Sequence, residues 1–248
     1  MKIECIGSGS GLNPVLGNTS FLIEGEDNRK LLLDCGATVP LSLIKSGKIS
    51  EVTDIVLTHQ HADHIGGLEG LGFMMYFALG RRGTERPTLH LPSEDFKAKL
   101  WHESLKGGMQ RIHTDTGEPL VVDLETYFKV TTEKVVNIED LPQLKFIPTH
   151  HVKGMDCYSI DFENGVYFSG DSVDLPPKER KLIFQDCQFF ESKNDIHVPY
   201  NKLKNELDEA QKSKIWLVHL SGGFEKIDPK ADGFAGFFLP GQVIDTQN

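Results

Sequence analysis

An α/β fold, with mixed sheets inside and helices outside, is what the sequence predicts, and three observations lead there. Short apolar runs of strand character alternate with longer stretches of helical spacing. Four of the apolar runs, "DIVLTHQH", "LKFIPTHH", "VYFSGD" and "KIWLVHL", end abruptly in histidine or aspartate. The carboxyl edge of strands in α/β sheets is where sites form, so these endings belong together. No repeat, low-complexity segment or linker breaks the 248 residues, a length that α/β layers reach without splitting, so one domain is expected over 1–248.

The elements follow in order. "KIECIG" alternates and reads as a strand, and "GSGSGLNPVLGN", rich in Gly, Asn and Pro, reads as a loop. "TSFLIEG" and "KLLLDCG" read as strands joined through the turn-like "EDNR". "PLSLIKSG" predicts a short helix, with Pro40 suited to its first turn and Gly47 to its stop. "VTDIVLTH" is a buried strand, and "IGGLEGLGFMMYFAL" is helix-like despite its glycines. "TLHLP" is a strand. In "SEDFKAKLWHESLKGG", Ser93 suits an N-cap, Phe96, Leu100 and Leu105 share a face, and Gly107 suits a stop. "LKFIPTH", "CYSIDF" and "GVYFSGD" are strands. "NKLKNELDEAQKS" predicts one amphipathic helix carrying Leu203, Leu207 and Ala210. "KIWLVHL" is a further strand. The tail "GFAGFFLPGQVI" is apolar enough to pack on something, with a partner subunit as one candidate.

Composition narrows the function. Hydrophobic residues make up 39% and charged residues 25%, which suits a folded globular protein. No apolar run nears the roughly 18 residues that would span a membrane. "MKIECIGSGSG" lacks a basic region followed by a long apolar core, so no secretory signal is expected. Cys5, Cys35, Cys157 and Cys187 are scattered, which argues against a disulfide framework or a cysteine zinc site and for a reducing cytoplasm. The net charge is −10, with 36 acidic against 26 basic residues. That balance argues against an extended nucleic-acid surface. It leaves room for a small anionic substrate, because bound cations would reverse the local field.

"THQHADHIGG" is the densest signal. His59 and His61 are two apart, so in an extended segment their imidazoles point to one side and can meet on one metal. Asp63 and His64 open the following helix and can face a second metal, while Gly66 and Gly67 let that helix approach closely. Histidine and carboxylate suit zinc, and manganese or iron accept them too. The other strand endings supply His150-His151, Asp171 and His219. His90, His102 and His113 read as ordinary core or surface histidines.

"HQHADH", His151, "SGD" and "VHL" resemble, in order and over nearly the whole chain, the metal pattern of the metallo-β-lactamase superfamily. The resemblance implies an αββα four-layer sandwich, two mixed sheets flanked by helices, with a two-metal site between the sheets. Carried over, His59, His61 and one of the His150-His151 pair hold the first metal. His151 is preferred, for the family-like interval of "HVKGMDCY" to Tyr158. Asp63, His64 and His219 hold the second metal, and Asp171 bridges both. Two divalent ions are implied, Zn2+ first and Mn2+ as the alternative. Di-iron redox relatives carry Glu at the position of His61, so the pattern favours hydrolysis.

"LIFQDCQFFESKNDIHVPYNKL" points to the bond that is cut. In the phosphodiesterase branch of the superfamily, which includes tRNase Z, an acidic residue and a later histidine beyond the "GD" segment do acid–base work. By that likeness His197 is the general acid and Asp186 its orienter, with Glu191 as the alternative orienter and Asp63 counted as both ligand and catalytic residue. A carboxylate favours the imidazolium, which makes such a histidine a good proton donor to a leaving oxygen. "DCQ", "IHVPY", "LWHESLKGGM" and "IWLVHL" are most similar to the anti-Pycsar phosphodiesterases, phage enzymes with bacterial relatives that destroy cyclic-nucleotide immune signals. That resemblance implies hydrolysis of 3′,5′-cyclic nucleotides such as cCMP, cUMP, cAMP and cGMP to 5′-monophosphates, by a homodimer in the cytoplasm. A tRNase Z-like endoribonuclease ranks second, because no long Gly/Pro-rich arm is found. A thioesterase or lactonase has little use for His197, and a nucleotide-capturing sponge has none for a bridging carboxylate and an acid. Tyr76, Phe234, Phe237 and Phe238 read as core before base-stacking residues.

Overall fold

The computed structural model describes residues 1–26, 29–114, 116–190, 192 and 194–247. Glu191 lies outside the described residues, as does part of the turn read from "EDNR". In chain order the strands are β1 (Lys2–Gly7), β2 (Ser20–Glu24), β3 (Lys30–Leu33), β4 (Asp54–Val56), β5 (Thr88–Leu91), β6 (Arg111–His113), β7 (Pro119–Val121) and β8 (Lys129–Thr132). They continue as β9 (Val135–Val136), β10 (Leu144–Pro148), β11 (Tyr158–Phe162), β12 (Val166–Phe168), β13 (Leu182–Asp186), β14 (Ile215–Val218), β15 (Gly236–Phe237) and β16 (Val243–Asp245).

One sheet runs β16-β1-β2-β3-β4-β5-β8 and the other β15-β14-β13-β12-β11-β10-β9, while β6 and β7 form a separate hairpin. Both sheets are mixed. β1, β2 and β3 are antiparallel neighbours, and β3, β4, β5 and β8 are parallel. In the second sheet β9 to β12 are antiparallel and β12 to β15 parallel. Parallel neighbours need crossovers, which helices supply. α1 (Val39–Lys45) lies between β3 and β4; α2 (Ala62–Ile65) and α3 (Leu68–Phe73) lie between β4 and β5. α4 (Glu94–Lys99) and α5 (Lys106–Met109) follow β5, and α6 (Tyr200–Glu206) and α7 (Glu209–Lys212) lie between β13 and β14.

Alternation along each strand sorts the side chains into layers. Leu31 and Leu33 of β3 join Ile3, Phe21 and Val56 against Phe146, Ile160, Phe168 and Phe184 of the second sheet. Leu32 points the other way, with Leu22 and Ile55, onto Val39 and Leu43 of α1 and Leu68 and Leu71 of α3. Both faces are buried, which is why "LLL" is continuous rather than alternating. On the far side Ile183, Ile215 and Leu217 meet Leu203 of α6. The result is the αββα sandwich. Its centre holds a run of rings, Phe21–Phe168 at 4.9 Å, Phe168–Phe184 at 4.6 Å and Phe184–Phe238 at 5.0 Å. Cutting one such ring to alanine costs about 3–5 kcal/mol.

Two expectations change, and one is made definite. Gly107 does not stop its helix: α4 widens into a π-helical segment, Leu100–Leu105, and continues as α5 through Met109. Leu100 and Leu105 are both buried although five apart, and an i→i+5 turn brings that spacing onto one face. Ser93 caps as expected, accepting from the Phe96 amide at 3.1 Å. "NKLKNELDEAQKS" is two helices, not one. Leu207 is extended, and Asp208 restarts the chain with a capping box, accepting from the Gln211 amide at 2.8 Å while Gln211 Oε1 accepts from the Asp208 amide at 3.4 Å. Ala210 is exposed and Gln211 buried in its place. Finally, the apolar tail packs on this chain's own sheets. Phe234 and Phe238 are buried, and β16 pairs with β1.

Candidate metal centre

β3, β4, β10, β12, β13 and β14 all point their carboxyl ends to one edge, so the residues that follow them meet. β4 ends at Val56, and the chain bends at Thr58 before His61, which stands at the N-cap of α2 with an extended backbone, ψ 150°, while Asp63 and His64 lie in that helix's first turn. α2 can sit this close because two glycines meet behind it. A Cβ on Gly67 would come within 2.3 Å of the Gly36 carbonyl oxygen, and one on Gly36 within 2.0 Å of the Asp63 carbonyl oxygen.

Ring orientation is fixed from behind. Thr58 donates its amide and its hydroxyl to the two carboxylate oxygens of Asp34, each at 2.8 Å. With that hydroxyl engaged, Thr58 Oγ1 accepts from His59 Nδ1 at 3.1 Å. His64 donates from Nδ1 to Asp34 Oδ2 at 2.8 Å, and His151 from Nδ1 to the Ile196 carbonyl at 2.6 Å. His219 places Nδ1 3.2 Å from Asp186 Oδ1. Each of these rings therefore turns Nε2 toward a common centre, the arrangement by which a metal-binding histidine is oriented. His219 does so from a left-handed backbone, φ +54°. The loop after β1 holds it there: the Leu220 amide donates to the Ser8 carbonyl at 2.7 Å, and the Ser10 amide to the Leu220 carbonyl at 3.2 Å.

Three overlapping groups result, all containing Asp171: two are ligand clusters, and the third joins Asp186 and His197 to Asp171 and His219. In the first, His59 Nε2 is 3.0 Å from His61 Nδ1, which is 3.2 Å from His151 Nε2. Nitrogens held tetrahedrally at a zinc–nitrogen distance of ~2.0–2.1 Å would be about 3.3 Å apart. In the second, His219 Nε2 is 3.2 Å from Asp63 Oδ2, and His64 Nε2 is 3.5 Å from the same oxygen. Asp171 faces both clusters. Its Oδ2 is 3.7 Å from His59 Nε2 and from His151 Nε2, and its Oδ1 is 3.3 Å from His64 Nε2. Buried polar atoms normally find partners. Here His64 Nε2 and Asp171 Oδ1 are buried with no hydrogen bond, at the point where a cation would take both.

The charges differ between clusters. Burial lowers the pKa values of His59, His61 and His151, and neighbouring imidazoles add to it. Burial also opposes charge on His64 and His219, yet Asp171, with Asp34 behind one ring and Asp186 behind the other, outweighs it. His64 is raised well above its ordinary value and His219 to about 10. Asp63 and Asp171 resist burial in the opposite sense, held well below the carboxylate range by the histidines around them. Such a donor set, anionic oxygens and imidazoles, fits divalent cations.

His197 stands at the mouth. Its Nδ1 is 2.7 Å from Asp186 Oδ2, and its ring stacks on His219 with centroids 4.8 Å apart. Burial disfavours the imidazolium, but Asp186 by charge and hydrogen bond raises the pKa above the ordinary value. Asp186 is fully buried and also accepts from the Ser172 amide at 3.0 Å. One carboxylate thus sits behind both His219 and His197.

His59, His61, Asp63, His64, His151, Asp171, Asp186, His197 and His219 lie in this one place. The structure also separates the pair His150-His151: His151 is in the first cluster, and His150 is exposed with Nδ1 3.0 Å from Asp174. His90 bridges Asp54 and Thr131, each at 2.8 Å, and His102 and His113 are exposed. Sequence reasoning missed Asp34. "KLLLDCG" is one more apolar strand ending in an acid, and that ending was the signal.

Comparison with known proteins bears on the family and the fold. The family model described as anti-Pycsar protein Apyc1 matches residues 1–244. The chain is 32% identical over 260 residues to an anti-Pycsar protein Apyc1 of Bacillus phage 010DV004, covering 98% of this chain and 97% of the relative. It is 35% identical over 238 residues to one from Saccharibacillus brassicae, covering 91% and 92%. Among solved structures, the metallo-β-lactamase fold protein YhfI from Bacillus subtilis superposes with a TM-score of 0.70 at 17% identity, covering 98% of each chain.

Proposed function

The chain belongs to the anti-Pycsar Apyc1 family, and from that premise we propose that it is a metal-dependent phosphodiesterase that opens 3′,5′-cyclic nucleotides to 5′-monophosphates. The observation that carries the reading is Asp171 shared by two ligand clusters, with His197 held on Asp186 beside them. His59, His61 and His151 would hold one divalent cation, Asp63, His64 and His219 the other, and Asp171 both. When bound, such a pair supplies Lewis acidity and lowers the pKa of a bound water.

The protein's own part is positioning and proton transfer. Asp186 favours the protonated form of His197 and holds Nδ1, which leaves Nε2 to carry a transferable proton. In this proposal that proton goes to the 3′-oxygen as its bond to phosphorus breaks. The cavity in front of the clusters, about 590 Å³, is in the range of small-ligand sites. Zinc is the first candidate for the cations and manganese the second. A homodimer belongs to the same proposal, without the support expected from the tail, whose buried rings serve this chain's own core. No helix among the described residues is long and apolar enough to cross a membrane.

The test is a panel of cCMP, cUMP, cAMP, cGMP and a precursor tRNA, each with and without a chelator. Chelator-sensitive release of 5′-monophosphates with intact tRNA supports the proposal. Cleavage of the tRNA alone would replace it with the endoribonuclease reading, and no turnover of any would remove it.

A further inference from the structure

Three exposed large apolar side chains, Leu12, Phe190 and Ile196, line the same cavity as the ligand clusters; the Ile196 carbonyl holds His151, and nothing in the metal centre explains the other two. Leu12, in the loop after β1, is 97% exposed, and Phe190, in the loop after β13, is 55% exposed. Keeping such groups in water forgoes burial free energy, so a rim of this kind on a binding cavity asks for an occupant.

Phe190 is presented rather than left loose. Its neighbour Phe189 turns inward, with ring centroids 5.5 Å from Tyr200 and 5.8 Å from Phe237. The neck of the loop is closed by Gln188, whose amide donates to the Val198 carbonyl at 3.0 Å while the Tyr200 amide donates to Gln188 at 2.9 Å. The Gln188 side chain then donates to the Phe190 carbonyl at 3.2 Å and to Asp195 Oδ1 at 2.6 Å. Nearby, Ser192 donates to the Asn194 carbonyl at 3.2 Å, and Ser221 Oγ accepts from the Phe189 amide at 3.3 Å. These bonds tie Gln188, Phe189 and Phe190 to the fold, and the cavity offers a planar ring the apolar side chains of Phe190 and Leu12.

We propose that Phe190 and Leu12 form the platform on which the heterocyclic base of the substrate stacks while its phosphodiester lies at the histidine–aspartate clusters. The proposal rests on the cyclic-nucleotide reading and assigns its base-binding residues. A base is favoured over a protein partner because the rim is continuous with the cavity that holds the clusters, and that cavity has the size of a small ligand. Stacking uses a π-face that every base has, so purine and pyrimidine substrates depend on it alike.

Steady-state kinetics on cAMP and cCMP tests it, with Phe190→Ala, Leu12→Ala and Phe190→Trp compared with the unchanged chain. Both residues are exposed, so the variants should fold, and bound metal and melting temperature check that. Phe190→Ala should raise KM for both nucleotides about tenfold or more, with a smaller change in kcat, and Phe190→Trp should restore KM. The effect should vanish with ribose 3′,5′-cyclic phosphate, which has no base. If the unchanged chain opens cyclic nucleotides but Phe190→Ala and Leu12→Ala leave KM within twofold, the platform is overturned while the reading stands. An equal rise on the base-free diester also overturns it, as does a changed oligomeric state with KM unaltered, which would make the rim a contact between copies. If the unchanged chain opens no cyclic nucleotide, the functional reading itself has failed.

Discussion

In the cluster of His59, His61 and His151, imidazoles outnumber carboxylates. In the cluster of Asp63, His64 and His219, carboxylates close in from both sides, Asp63 and Asp171 in front and Asp34 and Asp186 behind. The same sandwich edge therefore carries two electrostatic plans about one shared aspartate. The first cluster has rings that burial and their neighbours keep neutral, ready to offer lone pairs. The second has rings whose protonated forms the carboxylates favour, so a cation binding there competes with protons. One plan favours an uncharged nest of nitrogens, the other a strong local negative field, and the two should differ in how each loading responds to mutation and to pH.

The most severe way to break the comparison is to remove what the clusters share. Asp171→Ala leaves the first cluster with imidazoles alone and takes one carboxylate from the second. Both loadings should weaken together, and hydrolysis should fall at least about 10⁴-fold, since several kcal/mol of charge stabilisation go with the cations. Metal analysis and turnover on one preparation check it; retention of both ions at full occupancy would show that Asp171 does not join the clusters. His197→Ala comes next. His197 contacts the cluster residues but, in the proposed mechanism, does not bind an ion, so both should remain while kcat drops about 10²–10³-fold. Loss of metal in that variant would make His197 a ligand and overturn its assignment as the acid.

A milder change separates the clusters. Asp34 stands behind His64 and accepts from Thr58 and His64, so Asp34→Asn loosens one ring of the second cluster. Such outer partners are worth about 10–100-fold in metal affinity. The expected result is a weaker second ion and a first ion affected far less, read from stepwise competition with a chromophoric chelator. Equal weakening of both would argue that Thr58, which also touches His59, couples them.

How legible this was depends on distance along the chain. Strand endings were readable because an apolar run followed at once by His or Asp is a local pattern, and His59, His61, Asp63, His64, Asp171 and His219 all came from it. The fold was readable for the same reason, with burial on both faces making "LLL" and "IVL" continuous. Asp34 carried the pattern too, but its importance lies in partners 24 and 30 residues away, which no local pattern displays. The interval to Tyr158 already favoured His151 over its identical neighbour, but the group that holds its ring, the Ile196 carbonyl, lies 45 residues on. Asp186 was read as partner of His197, while its second contact, to His219, needed the packing of β13 against β14. The break at Asp208 was local, a D-x-x-Q capping box, but the leucine spacing ran through it and masked the signal.

The smallest expected effect is also the sharpest on the comparison, because it needs no mutation. A raised pKa means that, without a cation, the ring holds a proton at any pH below that value, and the proton competes with the metal. His64 is raised and His219 reaches about 10, so at neutral pH both must give up a proton to ligate. Affinity of the second cluster should therefore fall as pH falls, by up to about tenfold per unit for each proton displaced. The rings of the first cluster are lowered below the ordinary histidine value, so above about pH 6.5 they have no proton to lose and their affinity should stay flat. Between pH 8 and pH 6.5 the protein should thus pass from two tightly held zinc ions toward one, followed by chelator competition or by the spectrum of bound cobalt. If both ions leave over the same pH range, the carboxylates behind His64 and His219 do not set the difference between the clusters, and the contrast drawn from their charges fails.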